Sequence, residues 1–308
     1  MKIISENIHV ISKSIKEAFL SRDESFIRNL ILRQIATKPD WLDLNIGPAR
    51  GNFAGTMEWL VRIATEMTDI PLSLDSTNIT EIQSGLNILN NPSTAIINST
   101  NADIERLDKV TDLACEYDCN IIALTMNNEL GIPKEADKRL ELAFEINAIT
   151  ESKEIANNRV YYDPLILPIC VEQSQAIEAL NTIRMLKESF EPQVMTTIGL
   201  SNVSNGLPKD LRPLVNRVFM VMAMGCGLDS AIVDSFDAEL LRINRMLDSQ
   251  TPEFAYDVTY ISLFNLMQNY ADIDELVFDS TDKSQVDIFK TVEILLNKKV
   301  YTNSYLEI

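Results

Sequence analysis

Eight short β-branched or leucine-rich segments recur along the chain, and an amphipathic helical stretch follows each of them. The strand-like segments cover residues 3–4, 41–44, 71–74, 95–97, 121–124, 160–162, 194–198 and 230–233. Strands that alternate with helices are typical of parallel βαβ units. Their even spacing favours a closed (β/α)8 TIM barrel, an α/β fold, over an open sheet.

The helical periodicity is clearest over five segments, and it changes character near the C-terminus. The five segments are residues 56–67, 104–116, 135–155, 173–189 and 213–225. Further helical patterns cover 236–247, 255–269 and 291–297, although one helix would complete a barrel. We therefore predict a single barrel domain over 1–308 with an acidic helical insertion at 248–283, which either covers the last helix as a solvated layer or forms a dimer or partner contact.

Composition excludes several classes of function. The chain has 27 Lys and Arg against 45 Asp and Glu, a formal charge of −18, which disfavours nucleic acid and anionic membranes as partners. No apolar run is long enough to span a bilayer, and the N-terminus does not resemble a signal peptide. The sequence predicts a cytoplasmic protein.

Cysteine and histidine are too few for most metal or nucleophile chemistry. The chain has four cysteines and one histidine, His9. Cys115 and Cys119 lie four residues apart without a second pair, so we expect no bound metal. The nucleophile-elbow, dinucleotide and P-loop glycine motifs are absent from the sequence.

Active sites of such barrels form where the strands end. The residues expected there are short and polar, without Lys, Arg or His: Glu6, Asp43, Asn45, Asp75, Asn98, Asn127, Asn128, Asp163, Asn202 and Asp234. Carboxylates and amides suit a neutral heterocycle rich in hydrogen-bonding groups. A phosphorylated sugar would instead favour cations and helix N-termini.

Helix capping is the alternative duty for each of these side chains. In LDSTNITE, Asn78 and Glu81 form a predicted capping box, which leaves Asp75 for a ligand. Either Asp43 or Asn45 is expected to brace the barrel floor or the Gly-Pro turn that follows.

The next two strand ends give similar patterns. Thr100 and Asp103 are predicted to cap the following helix, so Asn98 is available, either for a ligand or for its own turn. Asp163 precedes Pro164, which favours an extended strand end rather than a cap. After the seventh strand, GLSNVSNG carries hydroxyls and amides, including Asn202, between two glycines.

The motifs at these positions form a collinear series along the chain. They read LDLNIGPA, LDSTN, INSTNA, LTMN, GIPK, DPLILP, GLSNVS, NRVFMVMAMGCGLDSAI and EILLNKKVY. In this order they resemble the methyltetrahydrofolate:corrinoid protein methyltransferases, above all the enzyme acting on the corrinoid iron–sulfur protein. The resemblance covers about 1–237 and 286–306, whereas 248–283 has no counterpart.

The resemblance implies a dihydropteroate-synthase-like barrel, usually a homodimer, with methyltetrahydrofolate bound in the barrel mouth. It implies that the pterin is bound by Asp75, Asn98, Asp163 and Asn202, with Asn202 hydrogen-bonding N5 as the catalytic residue. Arg212 matches a family arginine near the folate. The family's GERIN reads SENIH here, so Glu6 is kept while the neighbouring Arg and Asn are replaced.

The residues fit methyl transfer from N5 to a Co(I) corrinoid that a partner protein supplies. Asn202 would stabilise the departing amine, and solvent would provide the proton through water held by Asp43, Asn127 or Ser204. One alternative is a non-catalytic folate-binding or scaffold protein. Another is the same transfer, in either direction, serving the corrinoid protein of a demethylation pathway. A dihydropteroate synthase is disfavoured because basic residues do not follow strands seven and eight.

Overall fold

The computed structural model describes residues 1–307 and contains eight parallel strands. They are β1 Lys2–His9, β2 Trp41–Gly47, β3 Leu72–Ser76, β4 Ile96–Asn101, β5 Asn120–Leu124, β6 Val160–Asp163, β7 Met195–Thr196 and β8 Ser230–Val233. All eight overlap the strand-like segments of the sequence; β1 extends well beyond its segment, 3–4, and β7 is shorter than its segment, 194–198. The hydrogen-bonded order is β7-β6-β5-β4-β3-β2-β1-β8.

The ends of this sheet meet just beyond β7. Ile232 of β8 donates its backbone N–H to the carbonyl oxygen of Ile198 at 2.8 Å, and Gly199 pairs with Ile232 as a parallel bridge. These contacts join β8 to the chain that continues β7, so the sheet closes on itself. The predicted (β/α)8 barrel is confirmed.

Eleven α-helices of residues 1–307 surround the barrel. They are α1 Lys13–Ser21, α2 Glu24–Ile35, α3 Thr56–Met67, α4 Ile79–Leu86, α5 Ile104–Tyr117, α6 Ala136–Ser152, α7 Gln175–Ser189, α8 Arg212–Gly225, α9 Ala238–Ser249, α10 Asp257–Gln268 and α11 Lys283–Leu295. None of them is long and apolar enough to cross a bilayer.

The sequence placed the start of α11 eight residues too late. The helix begins at Lys283, and the side chain of Asp282 caps it by accepting the backbone N–H of Ser284 at 2.8 Å. The first turns carry polar residues, so hydrophobic periodicity alone did not reveal them, whereas an aspartate N-cap is the usual signal.

The insertion contributes to the main apolar core rather than forming a wholly solvated layer. Helix α10 packs on α8 and also contacts α9 and α11. Its buried side chains include Tyr260, Leu263 and Met267. Asp257 is fully buried and bonded through both oxygens to Arg242 of α9, at 2.6 and 2.9 Å. At least one acidic residue of 248–283 therefore forms an ion pair inside the protein instead of facing solvent.

Gly225 allows α8 and α10 to approach closely. A Cβ atom at this position would lie 2.6 Å from Cβ of Met267 and 2.7 Å from the carbonyl oxygen of Phe264. Both obstacles are fixed to the α10 backbone, so the helices would have to move apart.

We expect Gly225→Ala to lower the free energy of unfolding by about 1–3 kcal/mol through overpacking. The matched control is Gly85→Ala in α4, where the nearest atom is Cγ of the flexible Met57 side chain at 2.8 Å. Urea denaturation of both variants measures the effect. A Gly225→Ala protein as stable as the parent would contradict the close docking of α10.

Candidate functional site: a polar layer in the barrel mouth

The barrel interior consists of an apolar floor below a polar layer. Ile4, Trp41, Ile96, Ile122 and Tyr161 pack together from five different strands and form the floor. Because side chains alternate along a strand, the residue two positions further on faces the same way. In these strands those residues are Glu6, Asp43, Asn98, Leu124 and Asp163.

Asp43 lies at the centre of a small hydrogen-bond network on the floor. It is 2% exposed and accepts the hydroxyl of Ser73 at 2.6 Å and the side-chain amide of Asn98 at 3.2 Å. Burial raises the pKa of Asp43, while these two donors oppose the shift. Asp43 therefore orients Asn98, in agreement with the bracing role expected from sequence.

Asp75 faces the main cleft beside this network. The cleft has a volume of about 720 Å³, and Asn98 also lines it. Asn45 donates its amide N–H to Asp75 at 2.5 Å and accepts the backbone N–H of Gly47 at 3.2 Å. Burial and the nearby charge of Asp43 raise the pKa of Asp75 well above its ordinary value. A ligand that offers N–H donors would relieve this unfavourable burial.

Asp163 ends β6 and is 6% exposed. Its carboxylate accepts the backbone N–H of Leu165 at 2.7 Å, and the backbone N–H of Gly199 lowers its pKa in the same way. Burial outweighs both contacts and raises the pKa of Asp163 to about 6. The carboxylate is consequently ionised in most molecules at neutral pH.

Asn202 lies in the 3₁₀ helix Leu200–Ser204 that follows β7. Its side chain is exposed, and it makes no side-chain hydrogen bond within residues 1–307. A Cβ atom at position 199 would approach the Asn202 amide nitrogen to 2.9 Å. Glycine at 199 therefore leaves space for the amide beside the strand end.

Glu6 connects this loop with the polar layer. The hydroxyl of Ser201 donates to the carboxylate of Glu6 at 2.5 Å. Burial, with a smaller contribution from the negative charges of Asp234 and Asp43, raises the pKa of Glu6 to about 7. The mouth therefore contains a carboxyl group whose pKa is raised towards neutral pH.

Three other candidates from the sequence are engaged locally. The side-chain oxygen of Asn127 accepts the N–H of Leu130 at 2.7 Å. Ser204 is buried, with its hydroxyl 3.4 Å from the carbonyl oxygen of Ser201. Arg212 donates to the carbonyl of Leu207 at 2.8 Å. Glu6, Asp75 and Asn98 each interact with Asp43 through charge or a hydrogen bond. Within residues 1–307, the side chains of the other three candidates bond only to the backbone of their own loops.

The predicted capping box of α4 is half wrong. Asn78 is the N-cap and accepts the backbone N–H of Thr80 at 3.1 Å. Glu81 instead caps the neighbouring helix α3, where it accepts the N–H groups of Gly55 at 2.6 Å and Met57 at 3.1 Å. A buried glutamate reaches whichever unpaired N–H groups the tertiary fold brings near it.

The predicted cap of α5 also differs. Thr100 belongs to β4, and Asp103 is itself the N-cap residue. The Asp103 carboxylate accepts the side-chain amide of Asn101 at 2.6 Å and the backbone N–H of Asn128 at 2.9 Å. It joins the loops after β4 and β5, and Asn98 takes no part in capping α5.

Sequence reasoning missed Arg106, which ties together the loops at the cleft. Its guanidinium donates to the backbone carbonyls of Ser76, Thr77 and Ser99 at 2.5–3.1 Å. Its charge also offsets part of the rise in the pKa of Asp75. The available signal was its position three residues after Asp103, one helical turn inside α5, from which it can reach back over the strand ends.

Comparison with known proteins places this arrangement in a family. The family model described as "Pterin binding enzyme" matches residues 46–234. The chain belongs to the pterin-binding enzymes. The matched segment contains Asp75, Asn98, Asp163 and Asn202. The pterin-binding character of the predicted family is confirmed, as is the prediction of an enzyme.

Curated relatives of this pterin-binding enzyme carry more specific names. It is 27% identical over 243 residues to the methylcorrinoid:tetrahydrofolate methyltransferase of Eubacterium limosum, covering 78% of this chain and 88% of that protein. It is 33% identical over 260 residues to methionine synthase of Mycobacterium leprae, covering 81% of this chain. The match spans only 21% of the length of that methionine synthase.

Solved structures support the fold. Dihydropteroate synthase of Xanthomonas albilineans, solved with 4-aminobenzoic acid, superimposes with a TM-score of 0.59 at 16% identity, covering 82% of this chain and 94% of that one. The Yersinia pestis enzyme gives 0.55 at 14% identity, with 80% and 93% covered. The dihydropteroate-synthase-like barrel is confirmed.

Glu6→Gln should raise stability at alkaline pH. Unfolded glutamate loses its proton near pH 4.5, but folded Glu6 keeps it to about pH 7, so stability falls as pH rises through that window. Removing the ionisable group should recover up to about 3 kcal/mol at pH 8 and little at pH 4.

Urea denaturation at both pH values measures this difference, with Glu145→Gln on the exposed face of α6 as control. Equal stability of Glu6→Gln and the parent at pH 8 would show that the folded protein does not disfavour the charge of Glu6.

Proposed function

We propose that this pterin-binding enzyme transfers the N5-methyl group of methyltetrahydrofolate to, or from, the corrinoid of a partner protein. The polar layer over an apolar floor carries the proposal: the half-buried Asp75 and the buried Asn98 line one cleft, and the buried Asp163 ends a strand of the same barrel. The names of the E. limosum and M. leprae relatives support this choice of substrates. The corrinoid enters as a substrate that the partner brings.

The pyrimidine edge of a reduced pterin matches the acceptors in the mouth. This edge carries adjacent N–H donors, which a carboxylate can accept side by side. Asp75 and Asp163 provide two such carboxylates, and Asn98 offers an amide that both donates and accepts. Each contact would repay the burial of a charged or polar group.

The reaction breaks the bond between N5 and its methyl carbon, and the corrinoid cobalt in the Co(I) state receives the methyl group. An amide-like nitrogen anion is a very poor leaving group, so N5 must acquire a proton before or as the bond breaks. Asn202 can turn its unengaged amide towards N5 and bind the protonated amine more tightly than the ground state.

The proton would come from water in the mouth. Glu6 and Asp43 carry raised pKa values and can hold or exchange protons with that water near neutral pH. Asn127, Ser204 and Arg212 stay weaker candidates for contact with water or the folate. The homodimer implied by the resemblance stays a prediction that light scattering would check.

Purified protein mixed with methyltetrahydrofolate and Co(I) cobalamin should cause loss of the Co(I) absorption. Adding candidate corrinoid proteins in place of free cobalamin should accelerate the loss for the physiological partner. Folate binding without methyl transfer to any corrinoid would favour the alternative, a folate-binding or scaffold protein. Absence of folate binding would refute the proposal altogether.

Asn202→Ala should slow the methyl-transfer step by about 10²- to 10³-fold, the usual cost of one transition-state donor. Asp75→Ala should mainly raise the Kd for methyltetrahydrofolate. Stopped-flow kinetics and a separate folate titration distinguish the two effects. The control is Asn205→Ala, which alters an exposed asparagine of the same loop and should change neither the transfer rate nor the folate Kd. If Asn202→Ala weakened folate binding as much as it slowed transfer, the role of Asn202 at N5 would be contradicted.

A further inference from the structure

Arg139 of α6 is fully buried, an unusual position for a cation, and within residues 1–307 none of the acceptors of its hydrogen bonds is a carboxylate. Its Nε donates to the carbonyl of Pro133 at 2.9 Å, and one terminal nitrogen donates to the carbonyl of Leu165 at 3.2 Å. The other terminal nitrogen donates to the side-chain oxygen of Gln175 in α7. Arginine keeps its charge even in such surroundings, so a full positive charge is held behind the strand ends.

The bond to Leu165 leads directly to the pterin-site carboxylate. Leu165 has a positive φ of 64°, a conformation that non-glycine residues adopt at a cost. Arg139 binds its carbonyl, while the N–H of Leu165 donates to Asp163 at 2.7 Å. The guanidinium thus holds the residue whose backbone orients Asp163.

The same charge acts on Asp163 through space. Arg139, together with the N–H groups of Leu165 and Gly199, opposes the burial that raises the pKa of Asp163. The other carboxylates near Arg139 are Glu178 of α7, Glu135 and Glu172. None of them is among its hydrogen-bond acceptors; the charge of Glu178 acts on Arg139 more strongly than that of Asp163, and Glu135 and Glu172 act less strongly.

We propose that Arg139 is a positioning residue, which holds Asp163 both in place and in the ionised form that accepts pterin N–H groups. It acts through the Leu165 backbone and through its charge, without touching the substrate. This inference rests on the proposed function, since it assigns Asp163 to the pterin.

Gln175→Glu provides a test that keeps the buried cation paired. A glutamate at this position would face Arg139 and neutralise much of its field, so the pKa of Asp163 should rise. Methyltetrahydrofolate binding, measured by calorimetry between pH 5 and 8.5, should then weaken at pH 7. We expect the pH midpoint of binding to move upward by about one unit. Arg139→Met should move it in the same direction.

Two controls separate this effect from general damage. Asp163→Asn removes the titrating group, so adding Gln175→Glu to it should leave the midpoint where Asp163→Asn alone puts it. Arg159→Met removes an arginine at the opposite end of β6, where Arg159 bonds Asp118 and the carbonyl of Cys119; it should affect stability without moving the midpoint.

Three results overturn or separate the claims. An unchanged midpoint in Gln175→Glu, with folding verified by circular dichroism, overturns the inference even if Arg139→Met fails to fold. A shift that persists in the Asp163→Asn background also overturns it, because another group would be titrating. If the parent protein binds no folate at any pH, the proposed function itself has failed.

Discussion

Alternation of side chains along the closed barrel is the constraint on which the site depends. On each strand, the next inward-facing residue after the floor residue lies one level above the floor. Because the barrel is closed, these residues form a ring. Asp43 and Asn98 are therefore in contact although they lie 55 positions apart in the chain, and Asp163 occupies the equivalent inward position on β6. A one-residue slip would turn them out of the mouth.

The carboxylates of this ring are held in an electrostatically unfavourable state. Burial raises the pKa values of Glu6, Asp43, Asp75 and Asp163, and the charge of Asp43 also raises those of Glu6 and Asp75. The fold compensates with backbone N–H groups, hydroxyls and amides, and with two arginines reaching inward from helices. Arg106 and Arg139 each bind carbonyls of the loops, so they fix the loops while opposing the acidic charge. Strain of this kind is typical of sites prepared for a ligand.

Sequence reasoning succeeded where a side chain's environment follows from its position on a strand. The strands, the helix Thr56–Met67 and the polar residues at Asp75, Asn98 and Asp163 come from periodicity and motif. It failed where a side chain reaches another element: Glu81 caps α3 instead of its own helix, and Asp103 joins two loops. Local spacing describes neighbours within one helix or turn, but it carries no information about which backbone groups a different element leaves unpaired.

The amino-acid sequence by itself determined the eightfold strand–helix alternation, the acidic balance and the motifs of a pterin-binding enzyme. These depend on local periodicity and on residue types in order. Only the tertiary structure decided that α10 packs against Gly225, that Ser201 contacts Glu6, and that Arg139 lies behind Asp163. Such contacts arise from barrel closure, which sets the distance between residues far apart in the chain, and that distance is not written in any local pattern.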